Sequence, residues 1–232
     1  MIISAVILAR GGSKGIPNKN IIDFCDKPLI SWTIEQVKAS KHINDVWVSS
    51  DSKKILEIAS KLGVNIIERP EDISGDEATS ESGWSHALEY IKNKTGNKVD
   101  ILFAPQVTSP LRTKEDIDKG IEVFIEGDYD SLFSSSLAED LFFWDKDDEG
   151  KLRSVNYDFR NRKRRQDIEE KYIENGSFYI LTPEVLKKFN NRFGNKIGTS
   201  IMESWKMYEI DSHEDIKICQ AIMMKLIIDK ID

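Results

Sequence analysis

The chain has 232 residues, of which 40% are hydrophobic and 31% charged, an ordinary balance for a soluble globular protein and enough for one α/β domain with an insertion. A formal net charge of -7 excludes a general nucleic-acid role unless a local basic face overcomes the average, and any anionic ligand must likewise be met by a local cluster of cations. Cys25 and Cys219 stand in no metal-ligand spacing and make no disulfide framework, so both are expected as small apolar fillers in a reducing compartment.

The chain opens on an apolar stretch, residues 1–9, which is short and has no basic flank before it; it reads as a strand entering a loop, not as a signal peptide. No later stretch is long enough to span a bilayer, so the expectation is a cytoplasmic protein with no membrane partner. Residues 2–8 form a nearly continuous apolar run rich in β-branched residues, as expected for a strand buried on both faces of a parallel sheet. A glycine-rich loop over residues 10–20 follows, then a helix over 28–39 with Leu29, Ile30, Ile34 and Val37 at helical spacing. Strands at 46–48 and 65–67 flank a helix at 52–62. A helix at 79–92, a buried strand at 100–104, a helix at 114–126 and a strand at 131–135 continue the alternation. Such alternation implies βαβ units with right-handed crossovers and a largely parallel sheet.

That rhythm breaks at residues 141–167. Phe142-Phe143-Trp144, an acidic turn over 145–150 and a basic run over 160–165 fit no useful period, and the segment reads as an inserted hairpin and arm. Order resumes with a strand at 172–181, a short helix begun by Pro183, a strand ending near residues 207–210 and a final helix at 213–228. Without repeats or a low-complexity linker, one domain over 1–232 with an insertion at about 138–171 is the economical description.

Four clusters could carry chemistry. In Ala9-Arg10-Gly11-Gly12-Ser13-Lys14-Gly15-Ile16-Pro17-Asn18-Lys19-Asn20, three glycines let the backbone turn tightly and offer bare N–H groups to an anion, while Arg10, Lys14 and Lys19 add charge. The loop is neither a Walker A sequence nor a G-x-G-x-x-G fingerprint, and a solvated surface turn is the plain alternative. Residues 105–112 follow a buried strand, and Gln106, Thr108, Ser109 and Arg112 are expected to supply donors at the sheet's ligand-binding edge, or else to form a polar turn before the next helix. The basic run over 160–165 is a ligand surface or a solvated charge run. In Glu209-Ile210-Asp211, strand alternation puts two carboxylates on one face, a costly arrangement unless a cation neutralises them; capping of the last helix by Asp211 is the alternative. His42, His86 and His213 are scattered and are assigned no chemistry.

Taken together, the first loop resembles the signature of the CMP-N-acylneuraminate (CMP-sialic acid) synthetases. Pro105-Gln106-Val107-Thr108-Ser109-Pro110-Leu111-Arg112 resembles that family's second motif, Arg164-Arg165-Gln166-Asp167 with Tyr172-Ile173-Glu174-Asn175-Gly176 a third, and Glu209-Ile210-Asp211 the fourth. The matches run in order along nearly the whole chain. Two departures stand out: Val107 occupies a common proline position, and Glu209 an expected aspartate, which keeps a hard oxygen ligand.

The resemblance implies a Rossmann-like nucleotidyltransferase fold, mostly parallel with helices on both faces, and transfer of CMP from CTP to a sialic-acid-like nonulosonic acid. It implies that Arg10, Gly11, Gly12, Ser13, Lys14, Lys19, Asn20, Arg69 and Ser80 bind the nucleotide, with Lys19, Arg10 and Asp211 catalytic. Gln106, Thr108, Ser109, Arg165 and Asn175 would face the sugar, Arg165 as a planar partner for its carboxylate. Glu209 and Asp211 would hold Mg2+, which is usually bound by one or two carboxylates plus phosphate oxygens. The insertion would reach a neighbouring subunit in a homodimer, with the 142–144 aromatics at that surface or in a core. The sugar stays open among sialic, legionaminic and pseudaminic types; another nucleotide or sugar acid, or a non-catalytic nucleotide sensor, are the rival readings.

Overall fold

The computed structural model describes residues 1–13, 15–138 and 141–230, together with their side chains apart from those of Arg165 and Lys230; Lys14 and the side chain of Arg165 lie outside the described residues. In chain order the strands are β1 (Ile3–Leu8), β2 (Asp23–Phe24), β3 (Lys27–Pro28), β4 (Asp45–Ser50), β5 (Asn65–Glu68), β6 (Ile101–Pro105), β7 (Ser131–Leu137), β8 (Trp144–Lys146), β9 (Leu152–Ser154), β10 (Tyr172–Leu181) and β11 (Ile197–Ile201). The helices are α1 (Leu29–Lys38), α2 (Lys53–Lys61), α3 (Ser80–Thr95), α4 (Lys114–Glu126), α5 (Pro183–Phe189) and α6 (His213–Leu226). Seven strands make one sheet in the order β11-β7-β10-β6-β1-β4-β5. Every neighbouring pair is parallel except those involving β10, which runs antiparallel to both β6 and β7.

The central strands are apolar on both sides because both sides are covered. In β1, Ile3, Ala5 and Ile7 enter one core cluster and Val6 the other; Phe103 and Leu102 of β6, and Phe178 and Tyr179 of β10, divide in the same way. On the first face lie Ile34 of α1, Ile55 of α2, Ile121 of α4 and Met223 of α6. Trp84 and Ile91 of α3, with Val185 of α5, cover the second. Local chemistry sets the helix ends: α3 is capped by the Thr79 side chain and stopped by Gly96 at φ 74, while α4 begins with a Thr113–Asp116 capping box. Among the described residues, no helix is long and apolar enough to cross a membrane.

Three features differ from the sequence expectation. The β2–β3 hairpin and the edge strand β11 were not anticipated, and the strand expected near residues 207–210 is absent. Ser204–Met207 instead closes a 3-10 turn, and Ile210 makes a single backbone bond, its N–H donating to the Thr108 carbonyl, with no ladder. The insertion does contain the expected hairpin, β8–β9, turning at Gly150 with φ 78. Its aromatics join neither core cluster: Phe142 packs tilted and Trp144 edge-on against Tyr157, and Arg162 and Arg160 lie over Phe142 and Phe159.

Candidate active site

Parallel strands β1 and β4 release their chains at the same edge of the sheet, where open α/β sheets bind ligands. The loop after β1 is pinned there: the Ala9 N–H donates to the Ser49 carbonyl, and the Gly11 N–H to Asp51 Oδ1 at 2.9 Å. A Cβ on Gly11 would come within 3.0 Å of Ser52 Cβ, so the close approach favours glycine, whereas Gly12 faces open space. Asn20 is buried and its amide donates to the Arg10 carbonyl at 2.9 Å, bracing the loop from behind. Lys19 spans to the other end of the chain, its Nζ 2.9 Å from both the Ile210 carbonyl and Asp211 Oδ1. A Cβ on Gly15 would lie 3.1 Å from the Asp211 carbonyl, so the loop rests directly on the segment that carries the carboxylates.

Beside this loop, Arg10, Arg69, Gly75, Thr79 and Ser80 line a cleft of about 260 Å³. Arg10 Nη1 donates to Asp76 Oδ1 at 2.9 Å, and the largely buried Arg69 donates from Nε to Ser74 Oγ at 3.1 Å. Burial pulls the Arg69 guanidinium below its ordinary range; Asp51 opposes this and the neighbouring Arg10 reinforces it. Ser80 is the first residue of α3, so a helix N-terminus, favourable to anions, faces the same space. Two residues distant in sequence, Arg10 and Arg69, are thus brought together where the sequence expects a nucleotide.

The turn after β6 divides its residues. The Gln106 N–H donates to the Ser177 carbonyl, and the half-buried Gln106 and Thr108 stay near the edge. Ser109 and Arg112 do not offer donors there: Ser109 Oγ donates inward to the Gly176 carbonyl, and Arg112 is fully enclosed. Asn175 is likewise inside, its Oδ1 accepting from the Ser177 N–H.

Glu209 is the half-buried member of the carboxylate pair. Its carboxyl packs on Gly176, whose φ of +63 already suits glycine and whose hypothetical Cβ would sit 1.9 Å from Glu209 Oε1. Burial raises the Glu209 carboxyl above its ordinary range, Asp211 raises it further, Lys19 counteracts and Glu174 adds to the rise. A half-buried carboxylate and an exposed one two residues on, the latter paired with one lysine, could serve as donors to Mg2+ that also holds phosphate oxygens. No group of three or more His, Cys, Asp or Glu able to hold a metal ion occurs among the described residues. Helix capping does not account for Asp211: α6 is capped by Ser212 and Asp215, and the Asp211 side chain, 75% exposed, accepts from Lys19. Gly176→Ala is therefore expected to displace Glu209, lowering turnover at least tenfold and stability by about 2 kcal/mol, read by kinetics and thermal melting.

Three neighbouring residues escaped the sequence reading. The Tyr179 hydroxyl donates to Glu174, and burial followed by that contact pushes the phenol up to about 12. Arg192 lies over the rings of Tyr179 and Trp84 at 4.5 and 5.2 Å and donates to Glu81 Oε1 at 2.8 Å. Glu174 sits inside the third motif and could have been singled out; nothing local marks Arg192.

The family described as cytidylyltransferase matches residues 4–230 of this chain. The chain is 33% identical over 219 residues to N-acylneuraminate cytidylyltransferase A of Danio rerio, covering 92% of this chain and 48% of that protein. It therefore spans about half the length of the vertebrate relatives it matches. A pseudaminic acid cytidylyltransferase of Campylobacter jejuni is 30% identical over 225 residues, covering 94% of both chains. The fold is similar to that of CMP:2-keto-3-deoxy-manno-octonic acid synthetase complexed with CTP, with a TM-score of 0.72 at 13% identity, covering 97% of this chain and 99% of that one. The architecture is accordingly the Rossmann-like nucleotidyltransferase fold that the sequence led us to expect.

Proposed function

The chain belongs to the cytidylyltransferase family, and from that premise we propose that it transfers CMP from CTP to a nonulosonic acid, releasing pyrophosphate. The observation that carries this reading is the Lys19–Asp211 contact of 2.9 Å, which joins the basic loop to the carboxylate pair at the ligand-binding edge. In the reaction, the anomeric hydroxyl oxygen of the sugar acid bonds to the α-phosphorus. The bond from that phosphorus to the bridging oxygen breaks, pyrophosphate leaves and the hydroxyl proton is released. Positioning and charge neutralisation supply most of the catalysis, as in other phosphoryl transfers.

The bare N–H groups of Gly12 and Ser13, with Arg10 and Lys14, would cradle the triphosphate, and Arg69 and Ser80 would flank the nucleoside in the cleft. Lys19 would stabilise charge at the reacting phosphorus. Asn20 supports the loop that positions them and would help to set the base. Gln106 and Thr108 would face the sugar acid, with Ser109 and Asn175 shaping that wall from inside. Glu209 and Asp211 would hold Mg2+, which when bound neutralises phosphate charge. We infer further that the protein works as a homodimer in the cytoplasm, the insertion reaching the neighbouring subunit, and that Arg165 meets the sugar carboxylate. A non-catalytic nucleotide sensor would need none of the acids.

Turnover with CTP is expected to exceed that with UTP, ATP or GTP by at least about tenfold at equal concentration. A steady-state comparison of the four checks this, and faster use of a purine nucleotide would sink the assignment.

A further inference from the structure

Arg112 is the largest side chain in the fully buried set, with 0% exposure. Its Nη1 donates to the Ser109 carbonyl at 2.6 Å, the Ser177 carbonyl at 3.1 Å and Ser177 Oγ at 3.3 Å. Nη2 donates to Thr33 Oγ1 and the Gln106 carbonyl, both at 2.8 Å. These acceptors come from three places: the turn after β6, the irregular stretch of β10 beside Gly176, and α1. A cation this deeply enclosed is costly even when hydrogen-bonded, and well-packed apolar side chains often fill such space at no loss of stability. What an apolar filler cannot do is hold several carbonyls in one plane, which a guanidinium fork does and an ammonium does not.

The turn so held leads onward to the proposed chemistry. The Thr108 carbonyl accepts from the Ile210 N–H, and the Ile210 carbonyl accepts from Lys19 Nζ. We propose that Arg112 is a positioning residue for the acceptor sugar: its buried fork fixes the 106–109 backbone against Ser177 and thereby sets where Gln106 and Thr108 meet the sugar acid. The proposal rests on reading that turn as the sugar side of the site. Arg112 itself touches no substrate. Burial weakens the guanidinium's hold on its proton, pulling it down to about 9, while Asp116 works in the opposite direction. The group thus contributes through its hydrogen bonds, in a place that penalises its charge.

Two variants test this. Arg112→Lys keeps the charge but collapses the fork to one point, and Thr33→Val removes one acceptor with little change of shape, outside the turn. In Arg112→Lys the KM for the sugar acid is expected to rise about tenfold, and in Thr33→Val about threefold, with the KM for CTP within about twofold of the unmodified protein. Amide hydrogen exchange over residues 106–111 is expected to accelerate at least about tenfold in Arg112→Lys. Unchanged exchange in a folded Arg112→Lys protein, or equal shifts in both KM values, overturns the proposal. If Arg112→Lys does not fold, Thr33→Val decides by the same two readings, a threefold sugar-specific rise supporting the proposal and no split defeating it. Should the unmodified protein turn over no sugar acid at all, the proposed function fails, whereas exchange over 106–111 still decides whether Arg112 holds the turn.

Discussion

Lys19→Ala is expected to lower turnover by about two orders of magnitude or more, the usual consequence of losing one preorganised charge stabiliser. The sequence leads to an exposed Lys19 on a loop and a fold that survives its loss. The exposure is corrected by the structure, where the side chain is only 16% exposed and bridges the Ile210 carbonyl and Asp211. The variant should therefore also lose about 1 kcal/mol of stability, visible as a lower melting temperature. Measuring kcat at a temperature well below the transition separates the two effects. A near-normal kcat would reduce the basic loop to a solvated turn.

Asp211→Asn should abolish most activity, by about two to three orders of magnitude, with part recovered at excess Mg2+. The amide keeps one oxygen but no charge, so metal affinity falls while geometry is largely retained. It also leaves Lys19 without its anionic partner, so the loss should exceed that expected from weaker metal binding alone. Glu209→Asp should be milder, because it restores the commoner family residue; the shorter stem, however, withdraws from Gly176 and moves the carboxyl. Activity titrated against Mg2+ for both variants checks this. An Asp211→Asn enzyme with normal turnover and unchanged Mg2+ dependence would remove the metal role, and the Ser212–Asp215 cap means that helix capping could not take its place.

The core strands were legible where both their faces are apolar: β1, apart from Ser4, and β6 read as hydrophobic runs, and β10 does so only over residues 178–181. The basic loop was legible because glycine and cations concentrate in one short span. Strand β11 was not, since Ile197-Gly198-Thr199-Ser200-Ile201 has a glycine and hydroxyls in place of an apolar run; Thr199 Oγ1 instead bonds to the Phe133 carbonyl and Ser135 Oγ of β7. The pairing of Glu209 with Asp211 was reached on a mistaken ground. No strand exists there, so alternation does not set the two side chains on one face; what links them is that Asp211 adds to the rise of the Glu209 carboxyl. Ser109 and Arg112 were misplaced at the ligand edge because their partners, Gly176, Ser177 and Thr33, lie at least 65 positions away in sequence. Residue type gives no sign of such long-range partners. The same holds for Arg192, whose rings and carboxylate come from α3 and β10.

Incubating the purified protein with CTP, Mg2+ and, in turn, sialic, legionaminic and pseudaminic acids tests the central claim most directly, with pyrophosphate and CMP-sugar measured together. The expected result is pyrophosphate and CMP-sugar in equal amounts with at least one of these acids, and neither product without CTP or without the sugar acid. Pyrophosphate release that does not depend on a sugar acid, or no product with any of the three, would contradict it.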